Sequence, residues 1–106
     1  MKTRTYIKKD VVERVYQDVR KEIGDVKLVS SIVNATFAAL RELMIQDELE
    51  SRIEIRNFGV FEVKKTKAKP KARNPKTNEI IYVPPRRKTH FKPGKLLQDS
   101  LKKPID

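Results

Sequence analysis

Between Lys64 and Lys95 the chain carries twelve Lys or Arg residues and a single acid, Glu79. That segment alone holds a net charge of +11, the formal charge of the whole 106-residue protein, because the remainder carries thirteen basic and thirteen acidic groups. Its first part, Lys64 to Lys76, contains no large apolar side chain. Such a stretch has nothing to bury and many like charges, so it cannot be packed into a core. It either coats a solvated face or extends from the body toward a polyanion. Confinement of the entire imbalance to one segment favours phosphate binding. Any core must come from the flanking residues.

Upstream, residues 8 to 23 place Val11, Val12, Val15, Tyr16, Val19 and Ile23 on one stripe of a helix, with Asp10, Glu13, Asp18 and Arg20 around its polar side. Gly24-Asp25 supplies a helix stop followed by an N-cap. The same period continues from Val26 to about Glu48 through Leu28, Val29, Ile32, Val33, Phe37, Leu40, Leu43 and Met44. Ala35, Ala38 and Ala39 are small enough to let another helix approach closely. Two helices on so short a link form an antiparallel hairpin with a broad apolar face, read here as ordinary core and not a cofactor site. With 38% apolar residues over 106 positions, the chain has room for one small domain, and a partner subunit that completes its core fits that size.

At Arg52 the period changes to two. Ile53 and Ile55 alternate with Glu54 and Arg56, Asn57-Phe58-Gly59 turns the chain, and Phe61 and Val63 alternate with Val60 and Glu62. This pattern predicts a β-hairpin. Strand character returns at Ile80-Ile81-Tyr82-Val83, before Pro84-Pro85, and Asn74 to Glu79 is rich in turn formers. The second hairpin strand is therefore expected to run past the body, reverse near Pro75 and return as an exposed arm. Pro93-Gly94 then precedes a last short helix, about Lys95 to Lys102, with Leu96, Leu97 and Leu101 on one side. Helices followed by paired strands make the fold class α+β.

The absence of Cys excludes disulfides, thiolate zinc sites and cysteine nucleophiles. No run of 18 apolar residues and no apolar stretch after Met1-Lys2-Thr3-Arg4-Thr5-Tyr6 is present, so neither a membrane span nor a secretory signal is expected. His90 is the only histidine, and with no second His, no Cys and Glu79 placed across the arm, no metal site is expected. Pro93-Gly94-Lys95 reads either as a plain helix start or as a phosphate-holding N-terminus, and it lacks the other elements of a P-loop. No nucleophile stands beside a base. The expectation is a binding protein with no catalytic residues, no cofactor, no metal and no small-molecule ligand.

A two-stranded basic ribbon suits a nucleic-acid groove. Lys64, Lys65, Lys67, Lys69, Lys71, Lys76, Arg86, Arg87, Lys88, Lys92 and Lys95 are candidates to neutralise phosphates, with a steep salt dependence from counterion release. Arg73 and Asn74 stand beside the tip, within reach of minor-groove acceptors. Pro75 reads as a turn former or as a rigid wedge between base pairs, and spacing alone leaves both open. An RNA-binding basic module is disfavoured by the lack of clustered aromatics for base stacking. A membrane or heparin surface is disfavoured because the charge lies on a ribbon and not on amphipathic helices.

Three motifs, Asn57-Phe58-Gly59-Val60-Phe61, Ala72-Arg73-Asn74-Pro75-Lys76-Thr77-Asn78-Glu79 and Phe91-Lys92-Pro93-Gly94-Lys95, together resemble the HU/IHF family of bacterial DNA-bending proteins. The resemblance covers residues 8 to 103. It implies a two-helix N-terminal hairpin (8–50), a three-stranded antiparallel sheet (52–92) with a long β-arm at about 64–88, a short C-terminal helix (94–103) and an intertwined dimer, homomeric by default. Residues 1–7 are then a basic extension and 104–106 a tail. It further implies double-stranded DNA, preferably kinked or flexible, as partner, bending or wrapping through the minor groove, mostly without sequence specificity, and a cytoplasmic, nucleoid-associated location. A sequence-preferring IHF-type bender is the alternative. By the same resemblance Pro75 is the intercalating wedge with Arg73 and Asn74 beside it. Arg56 and Asn57 become saddle contacts, and Val33, Phe37, Leu40, Met44, Phe58, Phe61 and Phe91 the dimer core. The chain departs from the pattern where Asn57 and Asn78 replace usual glycines. Its ascending arm, Val63 to Arg73, also looks one residue longer than in most members, which a bulge would absorb. The segment joining the second helix to Arg52 looks slightly long as well.

Overall fold

The computed structural model describes residues 2–105; Met1 of the expected extension and Asp106 of the expected tail lie outside the described residues. Elements run α1 (Lys8–Val19), α2 (Val26–Met44), β1 (Ser51–Ile55), β2 (Gly59–Lys65), β3 (Lys69–Arg73), β4 (Ile80–Val83), β5 (Arg87–Pro93) and α3 (Lys95–Leu101). This is the α+β order that the sequence predicts. The chain divides into two units, Met1–Glu42 and Leu43–Asp106.

In the first unit, α1 starts where the Asp10 carboxylate accepts the Ile7 N–H at 2.8 Å, satisfying an otherwise orphaned donor. The helix stops at Val19, earlier than the stripe to residue 23 suggests. The N–H groups of Glu22 and Ile23 both turn back onto the Val19 carbonyl (2.9 and 2.7 Å), so Ile23 reaches the core from a turn and not from the helix. The Tyr16 hydroxyl donates to the Gly24 carbonyl at 3.2 Å and ties that turn to α1. Asp25 is the cap expected for α2: its side chain accepts the Lys27 N–H at 2.9 Å and its carbonyl accepts from Val29 at 3.2 Å. Val12, Val29 and Val33 form the buried cluster, with Val15, Tyr16, Val19 and Ile23 packed against it. Three valines make a small core, and Leu28, Ile32 and Phe37 of α2 remain 46–49% exposed.

In the second unit, α2 ends at Met44, short of the expected Glu48. Arg87 accounts for the difference, since its Nη1 donates to the backbone carbonyls of Gln46 and, at 2.9 Å, Glu48, fixing them on a non-helical path. The sheet that follows has strand order β1-β2-β5, all antiparallel, with Ile53 opposite Phe61, and Phe61 opposite Phe91. Directly opposed residues share a face, so Ile53, Ile55, Phe61, Val63 and Phe91 line one side. The rings of Phe58, Phe61 and Phe91 meet there with centroids 4.8–6.3 Å apart. Asn57 makes the β1–β2 turn at φ 64°, a conformation Asn tolerates in place of glycine. The Gly94 N–H donates to the Phe58 carbonyl at 2.8 Å, and Gln98 Nε2 to the Pro93 carbonyl at 2.9 Å, seating α3 against that turn.

Candidate nucleic-acid interface

The arm expected at about residues 64 to 88 is paired as two ladders with a gap between them. Strands β2 and β5 pair out to Lys65 opposite Arg87, whereas β3 and β4 form a separate ribbon from Lys69 opposite Val83 to Arg73 opposite Ile80. Pro84 and Pro85 fall in the gap and have no N–H to give to a ladder. Thr66 bridges it, its N–H donating to the Arg86 carbonyl at 2.6 Å and its Oγ1 accepting the Arg86 N–H at 3.0 Å. Nothing in the sequence pattern singled out Thr66.

Within the ribbon, Lys69 faces Val83 while Ala72 faces Ile81, so three steps on β3 match two on β4. This is the one-residue bulge expected from the longer ascending arm. Pro70 and Lys71 sit in it, where a proline costs no ladder bond. Lys69 therefore shares a side with Val83, and Lys71 lies at the irregular position.

The tip is built by Asn74. Its Oδ1 accepts the Lys76 N–H at 3.0 Å, its carbonyl accepts from Asn78 at 2.7 Å, and its N–H donates to the Glu79 carbonyl at 2.8 Å. Asn78 takes φ 61° where the turn needs positive φ, and its Oδ1 accepts from Arg73 Nη1 at 3.1 Å. Pro75 is exposed at the apex with φ fixed by its ring. Asn74 thus has a structural role in holding the turn that carries Pro75, with Arg73 directed along the tip.

The three-stranded sheet sorts the remaining candidates by face. Lys64 opposes Lys88, Glu62 opposes His90, and Lys92 opposes Val60, so Lys64, Lys88 and Lys92 share a polar face with Arg52, Glu54, Glu62 and His90. Lys65 and Arg87 oppose each other on the other face, the one lined by the aromatic side chains. Residue parity turns the Arg87 side chain to that face, where its Nη1 donates to the Gln46 and Glu48 carbonyls that follow α2. Arg86 and Lys67 lie within the gap, Lys76 at the tip, and Lys95 opens α3. Arg56 and Asn57 stand exposed in the β1–β2 turn. Of the expected dimer-core set, Val33 is buried, Leu40, Met44, Phe61 and Phe91 are half-buried, and Phe37 and Phe58 are exposed.

Glu62, which sequence reasoning passed over, is a carboxylate in the middle of the basic polar face with a side chain only 11% exposed. Lys92 Nζ lies 3.0 Å from its Oε1 and Lys64 Nζ 3.9 Å from its Oε2. The hydrogen bond from Lys92 holds the Glu62 pKa below its ordinary value against the opposing effect of desolvation, with help from the charges of Lys64, Lys92 and Arg52. Among the described residues there is no cluster of three His, Cys, Asp or Glu able to hold a metal ion, and no helix is long and apolar enough to cross a membrane.

Comparison with known proteins agrees with this arrangement. The family described as "Bacterial DNA-binding protein" matches residues 6–102. DNA-binding protein HU of Thermus thermophilus is 36% identical over 100 residues, covering 94% of this chain and 96% of that protein. DNA-binding protein HU of Thermotoga maritima is 35% identical over 95 residues, covering 90% and 98% respectively. Among solved structures, Anabaena HU co-crystallised with DNA superposes with a TM-score of 0.75 at 26% identity, covering 93% of this chain and all of that one. The helical hairpin, the sheet with its basic ribbon and the closing helix all fall within the matched residues, and the chain belongs to the bacterial DNA-binding protein family.

Proposed function

We propose that this protein is an architectural double-stranded DNA-binding protein that bends or wraps the duplex through its minor groove. The observation that carries the reading is the ribbon itself: a basic strand, β3, paired with β4 apart from the body sheet and ending in an exposed Pro75 on a hydrogen-bonded turn. A rigid apolar tip between cations can unstack a base step while the lysines behind it neutralise phosphates. The HU relatives and the HU–DNA complex support double-stranded DNA as the ligand. A contact set of lysines on phosphate, with few groups placed to read base edges, supports binding without strong sequence preference and a preference for kinked or flexible duplexes. The role is one of binding, without a chemical step, in association with the nucleoid.

The acting unit in this reading is a homodimer. Leu28, Ile32 and Phe37 on α2, left about half exposed, are the kind of apolar face that a second copy covers.

The test is an end-to-end distance measurement on labelled duplexes of roughly 35 base pairs across a salt series. Wild-type protein brings the ends together, and Pro75→Ala binds with similar affinity while bending less. An unchanged bend angle in Pro75→Ala removes the wedge role, and a wild type that binds without bending reduces the arm to an electrostatic clamp.

A further inference from the structure

The polar face of the three-stranded sheet encloses one acid at its centre. Glu62 lies between Arg52 of β1 and His90 of β5, its side chain 11% exposed where those of Lys64 and Lys92 are 59% and 58% exposed. Both ammonium groups turn toward it, Lys92 Nζ at 3.0 Å from Oε1 and Lys64 Nζ at 3.9 Å from Oε2. The other charged or titratable side chains of the strands on that face are Arg52 and Glu54, which pair with each other at 3.1 Å, and Lys88 and His90. A recess of about 270 Å³ beside the carboxylate, lined by Glu50, Ser51, Arg52, Val63 and Lys64, has room for a phosphate group. Two of the lysines expected on phosphate are thus already engaged by an acid of the same chain.

We infer that Glu62 is an internal stand-in for phosphate, which holds Lys64 and Lys92 in the free protein and takes up a proton when a duplex phosphate draws them away; this rests on the duplex-binding reading above. The direction of the proton movement follows from what surrounds the carboxylate. In the free protein the Lys92 hydrogen bond, with the charges of Lys64, Lys92 and Arg52, outweighs desolvation and keeps Glu62 ionised. A phosphate on the same ammonium groups adds a like charge, and each hydrogen bond they turn toward phosphate is withdrawn from Glu62. The side chain is too enclosed for water to replace those bonds, so desolvation prevails and the neutral acid is favoured. Protonation from solvent ends the competition and leaves both ammonium groups to the duplex. Because the carboxyl pKa is higher in the complex than in the free protein, binding tightens as the pH falls through the complex's value.

The experiment is calorimetric titration of the full chain with a nicked duplex of roughly 35 base pairs at about pH 5.5 and about pH 7.5, in buffers of different ionisation heat, which counts the protons bound. Wild type is compared with Glu62→Gln, Lys92→Met and His90→Asn. Wild type is expected to take up between about half a proton and one proton per chain at the lower pH, and Glu62→Gln to lose that uptake. Between the two pH values wild type should tighten about three- to tenfold more than Glu62→Gln, which binds the more tightly of the two at the higher pH. His90→Asn, which removes the other group of this face that titrates in the range, is expected to keep the uptake. Uptake that persists in Glu62→Gln, disappears in His90→Asn or is absent from wild type overturns the inference. So does a Glu62→Gln protein that binds no tighter than wild type at the higher pH, which makes Glu62 a support for the lysines and not their competitor. Lys92→Met removes the partner that is exchanged and is expected to lower the uptake; a wild-type count there overturns the exchange, whatever the state of the Glu62 variant. A wild type that fails to bind the duplex overturns the functional reading as well, whereas binding without proton uptake overturns this inference alone.

Discussion

Gly59→Ala is expected to be among the most destabilising single-methyl changes available to this chain. Gly59 is buried at the start of β2, and its φ is not positive, so it is required by the approach of its neighbours and not by backbone freedom. A Cβ built there lies 2.5 Å from the Lys92 carbonyl oxygen and 2.7 Å from both Cε1 and Cζ of Phe91. Ordinary contact begins near 3.4 Å, so strand β5 must retreat by about 0.7–0.9 Å where it pairs with β2. Overpacking of this kind costs about 1–3 kcal/mol. Displacing the Phe91 ring also loosens its contacts with Phe58 and Phe61, each worth about 0.5–1.5 kcal/mol. Reduced entropy of the unfolded chain returns about 0.4–1 kcal/mol. The net loss is about 2–3 kcal/mol, or a fall of roughly 10–20 °C in the melting midpoint for a domain of this size. Thermal unfolding followed by circular dichroism, at one fixed protein concentration, measures it. Asn57→Gly, two residues away at a positive-φ turn, serves as the control and should leave the midpoint nearly unchanged. A Gly59→Ala midpoint within about 2 °C of wild type would refute the close-approach argument.

Other residues make equally separable predictions. Arg87→Met removes two charge-assisted bonds to the Gln46 and Glu48 carbonyls, so urea denaturation should show a loss of about 1.5–3 kcal/mol while the salt slope of DNA binding stays at the wild-type value. Lys67→Ala combined with Lys69→Ala should do the reverse, lowering the salt slope by about one to two units with little effect on the melt. Because the folded pKa of Glu62 lies below its ordinary 4.5, the ionised carboxylate stabilises the fold above that pH, and the contribution disappears as the pH falls through the lowered value. The stability difference between wild type and Glu62→Gln should therefore be constant near neutrality and shrink in acid; a difference that stays flat down to pH 3 would remove the ion-paired role.

Much of this architecture was legible because its causes are local. Apolar spacing placed α1 and α2, Asp25 marked the cap, and the strand period after Arg52 with the Asn-rich turns marked β1, β2 and the arm tip. The extra arm residue and its bulge followed from counting positions between motifs. The rest depended on partners distant in the chain. Arg87 shortens α2 from some forty residues away, which no helical periodicity encodes. The division of basic residues between faces also depended on register: Lys64 and Lys65 are adjacent in sequence yet fall on opposite sides of the sheet, and only the pairing with Lys88 and Arg87 says which is which. Glu62 read as an ordinary polar position in an alternating strand, and its low exposure comes from Lys92 and Lys64 closing over it.

The gap between the two ladders separates the molecule's cooperativity as well as its hydrogen bonds. With Pro84 and Pro85 unable to donate and Thr66 spanning the break, unzipping β3 from β4 leaves every β2–β5 pair intact. Amide protons in the ribbon should then exchange through local opening at a small free energy, while those of β2 exchange only with the body. Substitutions in the ribbon are accordingly free to change what the protein grips, and how tightly, with little effect on whether it folds.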